Sequence, residues 1–301
     1  MRVENAYKIE KYVSKFHIHA LDMLIWYLLR FYLNMRLPKY YKKHEVVEGR
    51  SAKEYTNRDV VLSLTTYPKR MDTLPIVLES LLRQTVRPTS IQLWLAEEQY
   101  PDKETLLRDM KPYTDRGLEI LFCDDLKSHK KYYYSMKNNP DAIVVTVDDD
   151  IIYPENMLEE LLKTHREYPD CVVAHRAHKM KKENGTVLPY NNWYYRAMGC
   201  IGPNLYLCAT GCGGCLYPPK LLPEEILNRE VFKEICFFAD DIWLKCMEYI
   251  NKVPVVLTGA NNPEVISVIG SNEGGLAQSN VEDNKNDLQF RAVSEYYNIK
   301  W

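Results

Sequence analysis

The chain has almost no net charge, −2 over 301 residues, which argues against a protein built to coat nucleic acid. It has no internal repeat and no long low-complexity segment, so repeat arrays and disordered tethers are set aside. No secretory leader is expected: Glu4 and Glu10 come early, and no small-residue cleavage site follows. The chain also lacks an uninterrupted apolar run of about 20 residues, the length a bilayer crossing needs. Residues 20–33 come nearest, but they contain Asp22 and Arg30. Without a leader, the eight cysteines are expected to be reduced and the chain cytoplasmic. Cys208, Cys212 and Cys215 crowd together, yet a fourth ligand at zinc-site spacing is missing unless Cys200 or a histidine supplies it. The glycines between them offer another reading, a turn whose backbone comes close to a ligand.

What the sequence does have is an apolar run that stops abruptly at charge. Residues 143–147, Ile-Val-Val-Thr-Val, read as a fully buried strand and lead straight into Asp148, Asp149 and Asp150. Three adjacent carboxylates repel one another unless a cation neutralises them. Hard oxygen ligands suit Mg²⁺ or Mn²⁺, which often bind through one or two carboxylates while a substrate phosphate completes the shell. Upstream, residues 60–64 read as a strand running into Thr65-Thr66-Tyr67-Pro68-Lys69-Arg70. A helix follows, with Pro75 in its first turn and Leu74, Val77, Leu78, Leu81 and Leu82 on one face. Residues 91–95 and 118–122 read as further strands, the second ending in Cys123-Asp124-Asp125. Strands alternating with helical patterns imply parallel βαβ units, and open α/β sheets bind ligands beyond the carboxyl ends of their strands.

In this order, "SLTTYPKR", "SLLRQTVRP", "VVTVDDDIIYP" and "FADDIWL" resemble a glycosyltransferase of the GT-A fold, akin to glycosyltransferase family 2. The resemblance covers roughly residues 58–255. It implies an α/β fold, a Rossmann-like nucleotide-binding mixed sheet flanked by helices, to which residues 1–50 add an N-terminal helical segment. The catalytic domain is expected over residues 51–301, with a nucleotide-sugar half at about 58–153 and an acceptor half at about 154–301. The implied activity is a metal-dependent, inverting transfer from a nucleotide-sugar, by expectation a UDP-sugar. The acceptor would be a glycan or lipid-linked glycan in surface-polysaccharide biosynthesis, and the cofactor Mn²⁺ or Mg²⁺. Two other classes compete. A nucleotidyltransferase making an activated sugar would carry a Gly-rich, basic stretch after its first strand, and residues 65–70 contain no glycine. A glycan- or nucleotide-binding protein without catalysis would not need both acidic sites.

The resemblance also distributes roles. Asp148 and Asp150 are expected to flank the cation, Asp150 as the direct ligand, with Asp148 alternatively reaching the donor's ribose or sugar. Thr65, Thr66, Tyr67, Arg70, Asp125, Lys130, Lys131, Asp148 and Asp149 are expected around the donor, where Arg70, Lys130 or Lys131 offsets charge on the leaving diphosphate. The general base is expected in the pair Asp240-Asp241. Trp243, Cys246, Met247 and Ile250 follow at helical spacing, so the pair sits at a helix N-terminus, where the macrodipole favours an ionised carboxylate. Asp241 is the expected base, with Asp240 capping or orienting it. His129 and His175 are expected to have no catalytic part. One departure stands out. Family 2 usually has an Asp near the end of the second strand that contacts the base; Ala96-Glu97-Glu98-Gln99-Tyr100 stands there instead, so that contact is not assigned.

The first fifty residues differ from the rest. Ile9, Val13, Phe16, Leu21, Leu24, Ile25, Leu28 and Leu29 recur at helical spacing, and basic residues outnumber acidic ones through Lys43. Two readings stay open. One is a helix lying in the plane of a membrane's inner face, making a peripheral contact through residues 1–43. The other is an extra helix packed on the catalytic domain or on a second subunit.

Overall fold

Period-two alternation of apolar residues builds a sheet with two covered faces. The computed structural model describes residues 2–16, 18–46, 48–260, 264–271 and 284–301; parts of the expected N-terminal segment and acceptor half therefore lie outside the described residues. The strands, in chain order, are β1 (Arg50–Ser51), β2 (Val60–Thr65), β3 (Val86–Arg87), β4 (Ser90–Ala96), β5 (Leu118–Cys123), β6 (Ile143–Thr146), β7 (Val172–Ala174), β8 (Ala177–Lys179), β9 (Lys182–Glu183), β10 (Thr186–Val187), β11 (Leu207–Ala209), β12 (Cys215–Tyr217) and β13 (Val255–Leu257). The helices are α1 (Val3–Val13), α2 (His19–Lys43), α3 (Leu74–Leu82), α4 (Lys103–Thr114), α5 (Lys130–Asn138), α6 (Met157–Glu167), α7 (Arg229–Ile235), α8 (Asp240–Ile250) and α9 (Lys285–Tyr296).

Seven strands form one mixed sheet in the order β13-β7-β12-β6-β2-β4-β5. β12 runs antiparallel to β6 and β7, and the other neighbouring pairs are parallel. Val60, Leu62 and Leu64 of β2, Val173 of β7, Leu216 of β12 and Val256 of β13 face one core, shared with α3 and α6. The alternate residues Val172, Ala174, Cys215, Tyr217, Val255 and Leu257 face the other, shared with α5, α7, α8 and α9. The expected α/β class, a mixed sheet flanked by helices, is the one observed. β2, β4, β5 and β6 are mutually parallel, so their carboxyl ends share one edge. Thr65, Ala96, Cys123 and the acidic triplet all emerge there.

The "LLRQT" stretch has a physical reason at this edge. The Gln84 side chain donates to Ser80 O at 3.1 Å and Pro154 O at 2.8 Å, and accepts from Leu158 N at 3.0 Å. It therefore brackets the end of α3, the loop that follows the triplet, and the start of α6.

The N-terminal helices pack on this domain. Leu29, Leu33, Leu37 and Tyr41 of α2, spaced four apart, are buried in the first core together with Val3 and Ala6 of α1. The two charges that interrupt the apolar run face inward. Asp22 is half-buried, and Arg30 donates to Ser267 O at 3.1 Å and Val268 O at 3.3 Å. The opposite face of α2 stays apolar and exposed, through Leu24, Tyr27, Leu28, Phe31 and Met35. No helix among the described residues is long and apolar enough to cross a membrane.

Candidate active site

A cavity of about 460 Å³ opens at the carboxyl edge of the sheet, and all twelve residues singled out from the sequence line it. Six carboxylates (Asp125, the triplet, Asp240 and Asp241) face four cations (Arg70, Lys127, Lys130 and Lys131). Acidic side chains outnumber basic ones in the lining.

The triplet divides by direction. Asp149 turns into the protein, where Thr66 Oγ1 donates to its Oδ2 at 2.5 Å and the Arg70 guanidinium pairs with its Oδ1. Arg70 Nη2 also lies 3.0 Å from Asp150 Oδ2. Asp148 accepts from Lys131 Nζ at 2.6 Å, and the same ammonium lies 3.0 Å from Asp240 Oδ2. The backbone N–H of Asp148 donates to the Tyr153 hydroxyl at 2.8 Å, which donates in turn to Cys212 O at 3.1 Å. After β5, Asp125 accepts from Lys130 Nζ at 2.8 Å, from Lys127 N at 2.9 Å and from Gln99 Nε2 at 3.1 Å, and it pairs with the Lys127 ammonium. Each cation expected to meet a diphosphate is thus already paired with a carboxylate.

Burial and pairing pull these acids apart. Burial works against the charge on Asp125, but Lys127 and Lys130 outweigh it and hold the carboxyl down at about 2. Burial raises Asp149 despite Arg70 and Thr66. Burial, with Asp148 and Asp149 adding to it against Arg70, pushes Asp150 up to about 7. A carboxyl so placed gains from a cation. Asp148 and Asp150 are the two triplet members with side chains open to the cavity, at 28% and 19% exposure against 7% for Asp149. Hard oxygens from two carboxylates suit Mg²⁺ or Mn²⁺ when a substrate's phosphates supply the rest of the shell. Among the described residues no three of His, Cys, Asp and Glu are grouped to enclose a metal ion unaided.

At the start of α8 the structure departs from expectation twice. Ala239 stands at the N-cap, with no side-chain cap; Asp240 does not cap the helix but pairs with Lys131. Burial opposes the charge on Asp240, and Lys131, with His129 and Ser128 adding to it, more than offsets burial and keeps the carboxyl low. Asp241 is half-buried and accepts from Gly211 N, with its two oxygens at 3.1 and 3.2 Å. Its expected ionisation by the helix dipole is outweighed: burial first, then Asp240, pushes it up to about 8. A Cβ at Gly211 would sit 2.7 Å from Lys131 Nζ and 3.3 Å from Asp241 Oδ1, so a larger residue there would have to displace the Lys131 ammonium. Between Cys208 and Cys212, the Gly211 backbone comes close to Asp241 and Lys131. Cys208 and Cys215 are buried in β11 and β12.

His129 is buried, with its ring nitrogens 2.9 Å from the Tyr132 hydroxyl and 2.8 Å from Cys236 O. His175 lines a second, smaller cavity near α1. Gln99, Lys127, Ser128 and Tyr190, to which the sequence reading gave no role, also line the site, as do Phe238 and Asn286. Lys127 and Ser128 lie inside a run already noticed, between Asp125 and Lys130. Tyr190 carries no local signal, whereas Phe238 opens the "FADDIWL" motif. Their backbone N–H groups donate to Asp287 Oδ1 at 2.7 Å and Gln289 Oε1 at 2.8 Å, so the first turns of α9 hold both at the cavity.

No family model and no curated protein sequence matches the chain. Among solved structures it is similar to the S. aureus TarS fragment 1-349 in complex with UDP, at 16% identity and a TM-score of 0.45, covering 69% of this chain and 59% of that one. The same fragment in complex with UDP-GlcNAc gives 15% identity, a TM-score of 0.45, and coverage of 69% and 57%. The mannosyltransferase PcManGT from Pyrobaculum calidifontis, in complex with GDP-Man and Mn²⁺, gives 14% identity and a TM-score of 0.48, covering 97% of this chain and 76% of that one. The chain thus spans less than two thirds of the TarS fragment's length.

Proposed function

We propose that the chain is a metal-dependent glycosyltransferase that moves a sugar from a nucleotide-sugar donor, a UDP-sugar by expectation, to a hydroxyl of a glycan or lipid-linked glycan, inverting the anomeric centre. The observation that carries this reading is the cavity itself: a diacid wall at Asp148 and Asp150, and a separate half-buried acid, Asp241, on another element of the same cavity. A divalent cation held by Asp148 and Asp150 would neutralise the donor's diphosphate and ease the ionisation of the acids around it. The acceptor oxygen attacks the anomeric carbon, the bond from that carbon to the diphosphate breaks with its electron pair leaving on the diphosphate, and the hydroxyl proton passes to Asp241. Asp241 suits the role better than Asp240, which is committed to Lys131. Lys131 holds Asp148 and Asp240 apart as charges while Gly211 N–H orients Asp241.

The same reading places the protein at the cytoplasmic face of a membrane, through residues 1–43. Support comes from the outward face of α2. It exposes Leu24, Tyr27, Leu28, Phe31 and Met35, and then Arg36, Lys39, Lys42 and Lys43 toward its end. Apolar aromatics beside basic residues match an interfacial helix.

The test of the activity is hydrolysis and transfer across a panel of nucleotide sugars. Turnover of one donor class is expected, lost in EDTA and restored by Mn²⁺, with an inverted product. No binding of any nucleotide sugar, or a product that keeps the donor's configuration, would sink the reading.

A further inference from the structure

The loop that carries the triplet is held from behind by a short stretch of chain with almost no secondary structure of its own. Val268 N donates to Asp150 O at 2.7 Å, Ile152 N donates to Ile266 O at 2.9 Å, and Ile151 forms an isolated antiparallel bridge with Ser267. Apart from that bridge, residues 264–271 belong to no strand or helix, so their position is set by whatever else they bond.

Glu264 is held by Arg176 and Tyr195; for residues 265–269 the N-terminal helices supply side-chain bonds. From α2, Trp26 Nε1 donates to Val265 O at 2.9 Å. Arg30 donates to Ser267 O at 3.1 Å and Val268 O at 3.3 Å. Asn34 donates to Ser267 O at 3.1 Å and accepts from Ile269 N at 2.8 Å. From α1, the Tyr7 hydroxyl accepts from Ile266 N at 3.0 Å and donates to Ile152 O at 2.9 Å, so it touches both sides of the pairing. These side chains come from more than a hundred residues away along the chain, and none lines the cavity. They nevertheless reach Asp150 through one intervening peptide segment.

We propose that Tyr7, Arg30 and Asn34 are positioning residues for Asp150: the N-terminal helices fix residues 265–269, and these fix the main chain of the acid that faces the cation. The proposal rests on the metal role given to Asp150 above. It makes the N-terminal segment part of the catalytic centre's scaffold as well as a surface element. Outer groups that orient a metal ligand are worth about 10–100-fold in metal affinity.

The experiment uses the full chain and reads Mn²⁺ binding directly, by calorimetry or by the spin resonance of free Mn²⁺, with and without UDP. Arg30→Met combined with Asn34→Leu removes the polar grip while keeping bulk. Tyr7→Phe removes a single hydroxyl. Arg108→Met, exposed on α4, is the control. Both inward variants should weaken Mn²⁺ binding, on the order of tenfold for the pair, with Arg30→Lys intermediate and the control unchanged. Wild-type Mn²⁺ affinity in variants that melt like wild type would overturn the proposal. If the double variant does not fold, Tyr7→Phe alone carries the same two outcomes. Asp150→Ala separates the layers: unchanged Mn²⁺ binding there would overturn the metal assignment itself, and the positioning role with it.

Discussion

At the scale of single residues, the site depends on how differently one fold treats adjacent acids. Asp240 and Asp241 are neighbours in sequence, yet Lys131 keeps one charged while burial keeps the other's carboxyl near 8. An unfolded aspartate titrates at about 3.9. Between that value and about 8 the folded state holds the Asp241 proton more tightly than the unfolded state. This contribution to stability is therefore full below about pH 4, falls as pH rises, and is gone above about pH 8. Asp241→Asn removes the dependence. In EDTA, its melting temperature should rise relative to wild type more at about pH 9 than at about pH 5. With Mn²⁺ and donor present, the same variant should bind both but lose transfer by about 10²–10⁴-fold. Asp240→Asn should act mainly through stability, because it strips a buried ammonium of one of its two partners. If Asp240→Asn abolishes transfer while Asp241→Asn is benign, the two roles are exchanged. The residue types were legible in the sequence because carboxylates ending an apolar run have few bland explanations. Their protonation was not legible, because it depends on Gly211, Lys131 and burial, all supplied by distant parts of the chain.

At the scale of elements, the strands that align the site were readable where a local pattern carried them. β2, β4, β5 and β6 each show an apolar run with a turn or charge at the end. β12 escaped, since Cys215–Tyr217 is three residues long and its antiparallel place between β6 and β7 is decided only by tertiary packing. The link between elements that matters most for geometry is Gln84. Its side chain is buried and makes three hydrogen bonds to backbone groups of α3, the loop after the triplet, and the start of α6. Gln84→Leu keeps the bulk but leaves Leu158 N without its side-chain partner, while Pro154 O keeps its bond from Met157 N. An unsatisfied buried group costs about 1–3 kcal/mol, so urea unfolding should show a loss of that size. Half-maximal Mn²⁺ for donor hydrolysis should rise as well, since the displaced loop follows Asp150 directly. A variant as stable as wild type would mean that the bracket is incidental.

At the scale of the whole molecule, packing on the domain accounts for one face of α2 and leaves the other exposed. The inner face of α2 is committed to the domain through Leu29, Leu33, Leu37 and Tyr41, and Asp22 and Arg30 turn inward with it. The charges that spoil the apolar run in sequence therefore do not interrupt the outer surface. That surface is apolar along Leu21, Leu24, Tyr27, Leu28 and Phe31 and basic beyond Arg36. A bilayer with anionic headgroups matches both parts: acyl chains meet the apolar stretch and headgroups meet the lysines. Wild-type protein should co-sediment with vesicles containing phosphatidylserine. It should do so less well with purely zwitterionic vesicles, and less well as salt shortens the screening length from about 10 Å at 0.1 M. Leu24→Glu with Leu28→Glu and Phe31→Glu should stay in the supernatant while melting like wild type, because these side chains lie outside the buried core. Lys39→Glu with Lys42→Glu and Lys43→Glu should lose the preference for anionic lipid but keep some binding through the apolar stretch. If wild type ignores vesicles and instead forms a dimer that the glutamate variant splits in equilibrium sedimentation, the outer face of α2 seats a second copy of the chain, and the membrane placement fails.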